Sequence, residues 1–248
     1  MQELEKKLNE LLNECDKNAV EQIMHSEFIA PFEKVNRIIA YLLATGKMNY
    51  ADYSRLANEY IARHDQQNKY LYLFDMAPRT FGQSWAEEHI RKLFPEFMKA
   101  TNENLCRQYP KFDGEFDLWI NGIRVEVKAC RANSTKGKGS LSSRAYTHEE
   151  AMQANFKYHY QQLKPSCCDV FIWIGVCRDE LIYWVLTSDE LRATGKLGSQ
   201  HRNENTGIVG AEVFEGQVFM TEKELLPFHV AAADILKVVQ AKGRNIGI

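Results

Sequence analysis

Three residues near the middle of the chain have the types and spacing that phosphate chemistry uses: Asp117, Glu126 and Lys128. They lie in the segment Phe112-Asp-Gly-Glu-Phe-Asp-Leu-Trp-Ile-Asn-Gly-Ile-Arg-Val-Glu-Val-Lys-Ala. Asn121-Gly122 signals a two-residue hairpin turn. That turn pairs Ile120 with Ile123 and, counting back, sets Asp117 opposite Glu126. Side chains alternate along a strand, so Arg124, Glu126 and Lys128 share a face with Asp117, while Val125 and Val127 point into the core. Carboxylates opposed across a sheet repel one another. A hard divalent cation such as Mg²⁺, which takes oxygen ligands and keeps several waters, relieves that repulsion. It can also organise a scissile phosphate and activate a water. Lys128, next on the same face, can orient that water or offset phosphate charge. The ordinary alternative is a solvated strand face carrying Glu-x-Lys alternation.

Such a hairpin needs elements to hold it. Residues 1–65 read as helical. Leu4, Leu8, Leu11 and Leu12 recur at helical spacing, a second apolar helix spans 29–43 from near Pro31, and a third spans 49–61. Leu71 to Phe74 reads as a strand or a linker. A helix from about Phe81 to Phe94 is stopped by Pro95. Strands follow at 116–120 and 123–130. A Ser-, Gly- and Lys-rich loop covers 133–143, and a helix runs from about His148 to Leu163. The nearly continuous apolar run from Asp169 to Cys177 reads as a central strand covered on both faces. Further strands are expected at 181–186 and 217–220, before a closing helix. This order predicts an α/β fold with a mixed central sheet flanked by helices, residues 66–248, preceded by a helical region, residues 1–65. That first region suits a dimerisation surface, a DNA clamp or a lid.

The pattern Asp117, then Glu126-Val127-Lys128, resembles the D…(D/E)xK signature of the PD-(D/E)xK nuclease superfamily. The succession Glu126-Val-Lys-Ala-Cys-Arg-Ala, Gln161-Gln-Leu-Lys-Pro-Ser-Cys-Cys-Asp-Val-Phe-Ile-Trp-Ile-Gly-Val and Tyr183-Trp-Val-Leu-Thr-Ser-Asp-Glu-Leu is similar to type II restriction endonucleases. It covers roughly residues 81–217. Phe116 stands where the signature often has proline. The resemblance implies a restriction-endonuclease-like core and Mg²⁺-dependent hydrolysis of double-stranded DNA to 5′-phosphate and 3′-hydroxyl ends. It implies one or two Mg²⁺ ions held by Asp117, Glu126 and the Val127 carbonyl, with Lys128 as the catalytic lysine. A glutamate on the helix before the hairpin often joins such sites. Glu87 falls at the edge of that helix's apolar face, beside Phe94, and Glu88 points away. Gln161 and Gln162, on the expected 148–163 helix, can orient the lysine or a phosphate.

DNA must also be held. The 31 basic and 33 acidic residues leave a net charge of −2, which excludes a uniformly basic binder. The charge is uneven, however. Arg124, Lys128, Arg131, Lys136, Lys138, Arg144, Lys157 and Lys164 fall in one stretch with only Glu126, Glu149 and Glu150 against them. Arg131, Lys136, Lys138 and Arg144 are candidate phosphate or base contacts. So are Gln200, His201, Arg202, Asn203 and Asn205 in a second polar loop. Solvated surface is the ordinary alternative for both groups.

The first fourteen residues are amphipathic and mixed in charge, unlike a secretory signal, and no apolar run is long enough for a membrane span. Six cysteines without a CxxC pair argue against structural zinc and fit a reducing cytoplasm. The expected protein is a cytoplasmic, site-specific endonuclease acting as a homodimer, with a DNA methyltransferase as genetic partner and no membrane association. A structure-selective repair or recombination nuclease and a non-catalytic DNA-binding module are the alternatives.

Overall fold

The computed structural model describes residues 34–107, 109, 112, 114–199, 204–205, 212–213 and 215–245, with 10–11, 13–18 and 21. The chain divides into two compact units, residues 1–67 and 68–248. In the first, helix α1 spans Lys34–Ala44 and α2 spans Tyr50–Gln67. Ile38, Tyr41 and Leu42 bury against Met48, joined by Leu11, Tyr53 and Leu56. Gly46, at φ 70°, ends α1 in the left-handed conformation that glycine adopts at little steric cost. Asn49 then starts α2, its side-chain oxygen accepting from the Asp52 N–H at 2.9 Å. The expected start near Pro31, and Leu4, Leu8 and Leu12, lie outside the described residues.

The second unit is α/β. Its strands are β1 Met98–Lys99, β2 Leu118–Ile120, β3 Ile123–Arg131, β4 Lys157–Leu163, β5 Val170–Val176, β6 Leu181–Thr187, β7 Gly198–Ser199, β8 Glu204–Asn205, β9 Glu212–Val213, β10 Gly216–Thr221 and β11 His229–Val230. Its helices are α3 Ala86–Leu93, α4 Asn102–Leu105, α5 His148–Gln153, α6 Ser188–Ala193, α7 Glu222–Leu225 and α8 Ile235–Asn245. A six-stranded sheet runs β1-β2-β3-β5-β6-β11, and a three-stranded sheet runs β4-β10-β7. The large sheet is mixed, because β3 and β5 are parallel while the other neighbours are antiparallel. A parallel pair needs a long crossover. Here it carries the Ser/Gly/Lys loop, α5 and β4.

Each face of the large sheet has its own core. Val125, Val127, Val170, Ile172 and Val185 bury on one face against Ala86 and Ile90 of α3 and Ile235 and Val239 of α8. Phe171, Trp173 and Trp184 bury on the other against Tyr158 and Tyr160 of β4 and Val218 and Met220 of β10. Coverage from both sides explains why all seven residues of β5 are buried. No helix among the described residues is long and apolar enough to cross a membrane.

Two local expectations need correction. The helix from His148 to Leu163 is two elements: α5 ends at Gln153, and β4 begins at Lys157. Thr147 and Glu150 form a capping box that starts α5. Asn155, at φ 49°, turns the chain. Tyr158 and Tyr160 then alternate inward with Lys157 and Gln161 outward, and pairing with β10 wins over helical propensity. Leu71–Phe74 is a short 3₁₀ turn, not a strand. The expected helix before Pro95 is present; it begins as a π-helical segment, Thr80–Trp85, and continues as α3.

Candidate functional site

The β2–β3 hairpin has the register that Asn121-Gly122 demands: Ile120 faces Ile123, Trp119 faces Arg124 and Leu118 faces Val125. Asn121 and Gly122 both have positive φ, at 47° and 90°, as a type I′ turn requires. Asp117 lies one residue beyond the paired strand. Its N–H donates to the Val125 carbonyl at 3.1 Å, and its carbonyl accepts from the Ala100 N–H at 2.9 Å. Its carboxylate accepts from the Val127 N–H at 2.8 Å. That bond fixes the carboxylate on the β3 edge, but the expected pairing of Asp117 with Glu126 is not made: Asp117 and Leu118 both meet Val125, and Phe116 joins the core on the face that carries Glu126.

Glu126 and Lys128 lie on the aromatic side of the large sheet, level with Phe171 and Trp173 of β5. Glu126 is only 5% exposed. Its Oε1 is 2.5 Å from the Lys128 Nζ. Burial pushes the Glu126 carboxyl up to about 7; Lys128 pulls it down, Asp117 adds to the rise, and Lys164 lowers it again. For Lys128, burial favours losing the charge, but Glu126 and Asp117 outweigh it and hold the ammonium protonated.

A third carboxylate joins from α3. Glu87 is mostly buried and forms an ion pair with Lys99 of β1 at 3.3 Å. Its pKa is raised, first by burial and then by the charge of Asp117, against the pull of Lys99 and Lys128. Of the Glu87–Glu88 pair, Glu87 turns toward β1 and Glu88 is exposed. Lys164, just after β4, faces Glu215, just before β10, at 3.8 Å.

Asp117, Glu126 and Glu87 offer hard oxygen donors, and mutual repulsion of close carboxylates is what a divalent cation relieves. Mg²⁺ commonly uses only one or two carboxylates and keeps its waters. The donor chemistry therefore fits Mg²⁺ through Asp117 and Glu126. Among the described residues, no three His, Cys, Asp or Glu side chains form a ready-made metal-ligand cluster.

The structure distributes the expected DNA contacts unevenly. Lys136 and Lys138 are exposed. Arg144 is half-buried and donates to the Ser134 carbonyl at 2.9 Å, bracing the loop. Arg131 has a structural occupation instead. Its Nη1 donates to the carbonyls of Leu73, Phe74 and Met76, and its guanidinium lies over the Phe81 ring. Arg124 is likewise engaged, forking onto the buried Asp169 carboxylate. Gln161 and Gln162 sit on β4 and are exposed. Gln200, His201, Arg202 and Asn203 lie outside the described residues. Asn205 is described only as backbone in β8, opposite Glu212.

Sequence reasoning missed Lys99 and Glu215 as neighbours of the site. Lys99 sits in a two-residue strand without a strong signal. Glu215 reaches Lys164 only because β4 is a strand paired with β10. In comparisons with known proteins, no protein-family model, curated protein or solved structure matches the chain.

Proposed function

We propose that this protein is a Mg²⁺-dependent, site-specific double-stranded DNA endonuclease of the PD-(D/E)xK type, acting as a type II restriction enzyme. The observation that carries the reading is the hairpin itself, which holds the Asp117 carboxylate on the Val127 N–H next to the buried Glu126 and its partner Lys128. The mixed sheet flanked by helices is compatible with a restriction-endonuclease-like core.

In this reading Asp117 and Glu126, with the Val127 carbonyl, hold one or two Mg²⁺ ions. When bound, Mg²⁺ supplies positive charge that favours ionisation of a water and offsets charge on the phosphoryl oxygens. The Val127 N–H keeps the Asp117 carboxylate oriented without cost at the moment of reaction. Lys128 donates hydrogen bonds to the attacking water or to the phosphate, where negative charge develops. In-line attack by water on phosphorus leaves a 5′-phosphate and a 3′-hydroxyl. Lys136 and Lys138 are the exposed cations best suited to phosphate contacts. Cutting both strands at a palindrome favours a homodimer, and a cytoplasmic enzyme of this kind requires a cognate DNA methyltransferase.

Digestion of a plasmid of known sequence with Mg²⁺, followed by sequencing of the ends, tests the reading. Discrete fragments with common end sequences are expected. Cutting confined to nicks, flaps or junctions would point to a repair nuclease, and absence of cutting would remove the enzyme reading.

A further inference from the structure

The outer face of the small sheet carries an aromatic pair that the core does not use. In β4, Tyr158 and Tyr160 are buried, while Lys157, His159 and Gln161 point outward. In β10, Val218 and Met220 point inward, while Gln217 and Phe219 point outward. His159 and Phe219 are direct cross-strand partners. Their rings stack with centroids 3.8 Å apart and planes 14° from parallel. Hydrogen bonds fix the pair. The Gln217 side-chain N–H donates to the Ser199 carbonyl at 3.3 Å, which leaves the amide oxygen to accept from the His159 Nε2–H at 2.9 Å.

Phe219 is nevertheless 51% exposed. His159 covers one face of its ring. On the other side the β10–β7 ladder ends at Gln217↔Gly198, so no strand partner stands opposite Phe219 there. Lys157 is its diagonal neighbour across the β4 ladder, about 7–8 Å away and within reach of a long side chain. Neither strand contains Asp or Glu. The acids just beyond β10, Glu222 and Glu224, are engaged by His148 and Lys196. One exposed ring among polar side chains is too little apolar surface for the core of a protein interface. A fixed ring with an open face, beside a lysine and away from carboxylates, instead suits a flat group that carries negative charge, an unpaired nucleotide. Bases in a duplex are already stacked on one another, so the matching ligand is single-stranded.

We propose that the outer face of β4 and β10 is a stacking platform for single-stranded DNA, with Phe219 packing against an unpaired base and Lys157 contacting a neighbouring phosphate. His159 and Gln217 are positioning residues that hold the Phe219 ring. The choice of DNA over RNA rests on the nuclease reading. The platform itself shares no residue with Asp117, Glu126, Lys128 or Glu87, and stacking on it requires no cation.

The test is fluorescence anisotropy of labelled oligo-dT, about a dozen nucleotides long, with the full-length protein in EDTA, which prevents metal-dependent cutting. Phe219→Ala should weaken binding about 10-fold or more. Phe219→Leu should weaken it similarly, because it keeps apolar bulk but offers no ring, and Phe219→Trp should bind at least as well as wild type. Lys157→Gln should weaken binding and lower the slope of log Kd against log salt by about 0.7. A duplex of the same length should bind the wild type and the Phe219 variants alike. Thermal melts establish that each variant is folded, and Phe219→Leu serves where Phe219→Ala is not. No oligo-dT binding by the wild type, Phe219→Leu binding as the wild type does, equal losses for duplex and single strand, or tighter binding of oligo-U would each overturn the proposal. So would loss of self-association in Phe219→Ala with oligonucleotide affinity unchanged, which would make the face a contact between copies. The expected pattern in a protein that leaves plasmid uncut in Mg²⁺ would support the platform while removing the nuclease reading. Plasmid cutting without an effect of Phe219 on oligo-dT binding would do the reverse.

Discussion

The Asp117 carboxylate accepts the backbone N–H of Val127 at 2.8 Å. Leu118 is the last β2 residue paired with β3, and two residues beyond its partner Val125 the alternation of an antiparallel ladder calls for another acceptor. The Asp117 side chain fills that place. One group therefore satisfies a buried donor of β3 and presents charge to the candidate cation site.

Two variants separate these roles. Asp117→Asn and Asp117→Ala both remove the charge and relieve the same repulsion with Glu126 and Glu87, so both should lose cleavage. Only Asp117→Ala leaves the buried Val127 N–H without its partner, at a cost of about 1–3 kcal/mol. Asp117→Ala should therefore melt several degrees below Asp117→Asn. Equal melting temperatures would show that the hydrogen bond contributes nothing.

Lys128 has the Glu126 carboxylate 2.5 Å away and stays charged through it. Lys128→Met should reduce single-turnover cleavage by about 100-fold or more, the scale for losing a donor aimed at developing charge. Glu126 should then take up a proton at neutral pH, since burial already favours its neutral form. Full activity in Lys128→Met would overturn the assignment of the lysine.

The candidate site was legible where local chemistry dominates. Asn121-Gly122 sets the register of Leu118–Ile120 by turn geometry alone, but Asp117 lies past it, where the slip onto Val125 is invisible to counting back from the turn. Helical periodicity alone separates Glu87 from Glu88. The β4 strand was not legible, because its backbone partner β10 lies more than fifty residues away. Mistaking it for helix placed Gln161 and Gln162 wrongly and hid the Lys164–Glu215 contact. Arg131 read as a DNA contact because charge pattern cannot reveal three carbonyls gathered from the turn at Leu73–Met76.

Gly175 of β5 has no room for a side chain. A Cβ there would stand 2.6 Å from the Trp184 ring and 2.8 Å from that of Tyr158. Gly175→Ala should cost about 1–3 kcal/mol through overpacking between the two sheets, read by urea unfolding. An unchanged midpoint would show that the small sheet shifts freely over β5.

Cation binding should compete with protons at Glu126. Burial pushes its carboxyl up to about 7, Lys128 opposes, and Asp117 adds to the rise. A divalent ion needs the carboxylate, so binding should release a proton and weaken as pH falls through that value. One titrating proton gives a limit of about tenfold in affinity per pH unit below it. Mn²⁺ titrations at pH 6 and pH 8, in buffers of different ionisation heat, measure both effects. Affinity independent of pH would place the cation elsewhere.

His148 gives a stability effect of the opposite chemical kind. Its Nδ1 lies 3.0 Å from a Glu180 oxygen and its Nε2 lies 2.8 Å from both Glu222 oxygens. A neutral imidazole has one donor and one acceptor, so only the protonated ring can donate to both carboxylates. Burial acts to lower its pKa, but the hydrogen bond and charge of Glu222, followed by those of Glu180, outweigh it and raise the pKa. A raised folded-state value means that the stabilisation is fully present below the unfolded value of about 6.5. It is lost as pH rises through the folded value. Glu222 opens α7 directly after β10, so the bonds tie α5 to the small sheet. Urea unfolding of the wild type should show a fall in stability between pH 6 and pH 9 that His148→Gln lacks. Parallel pH profiles for the two proteins would show that the proton on His148 does not couple these elements.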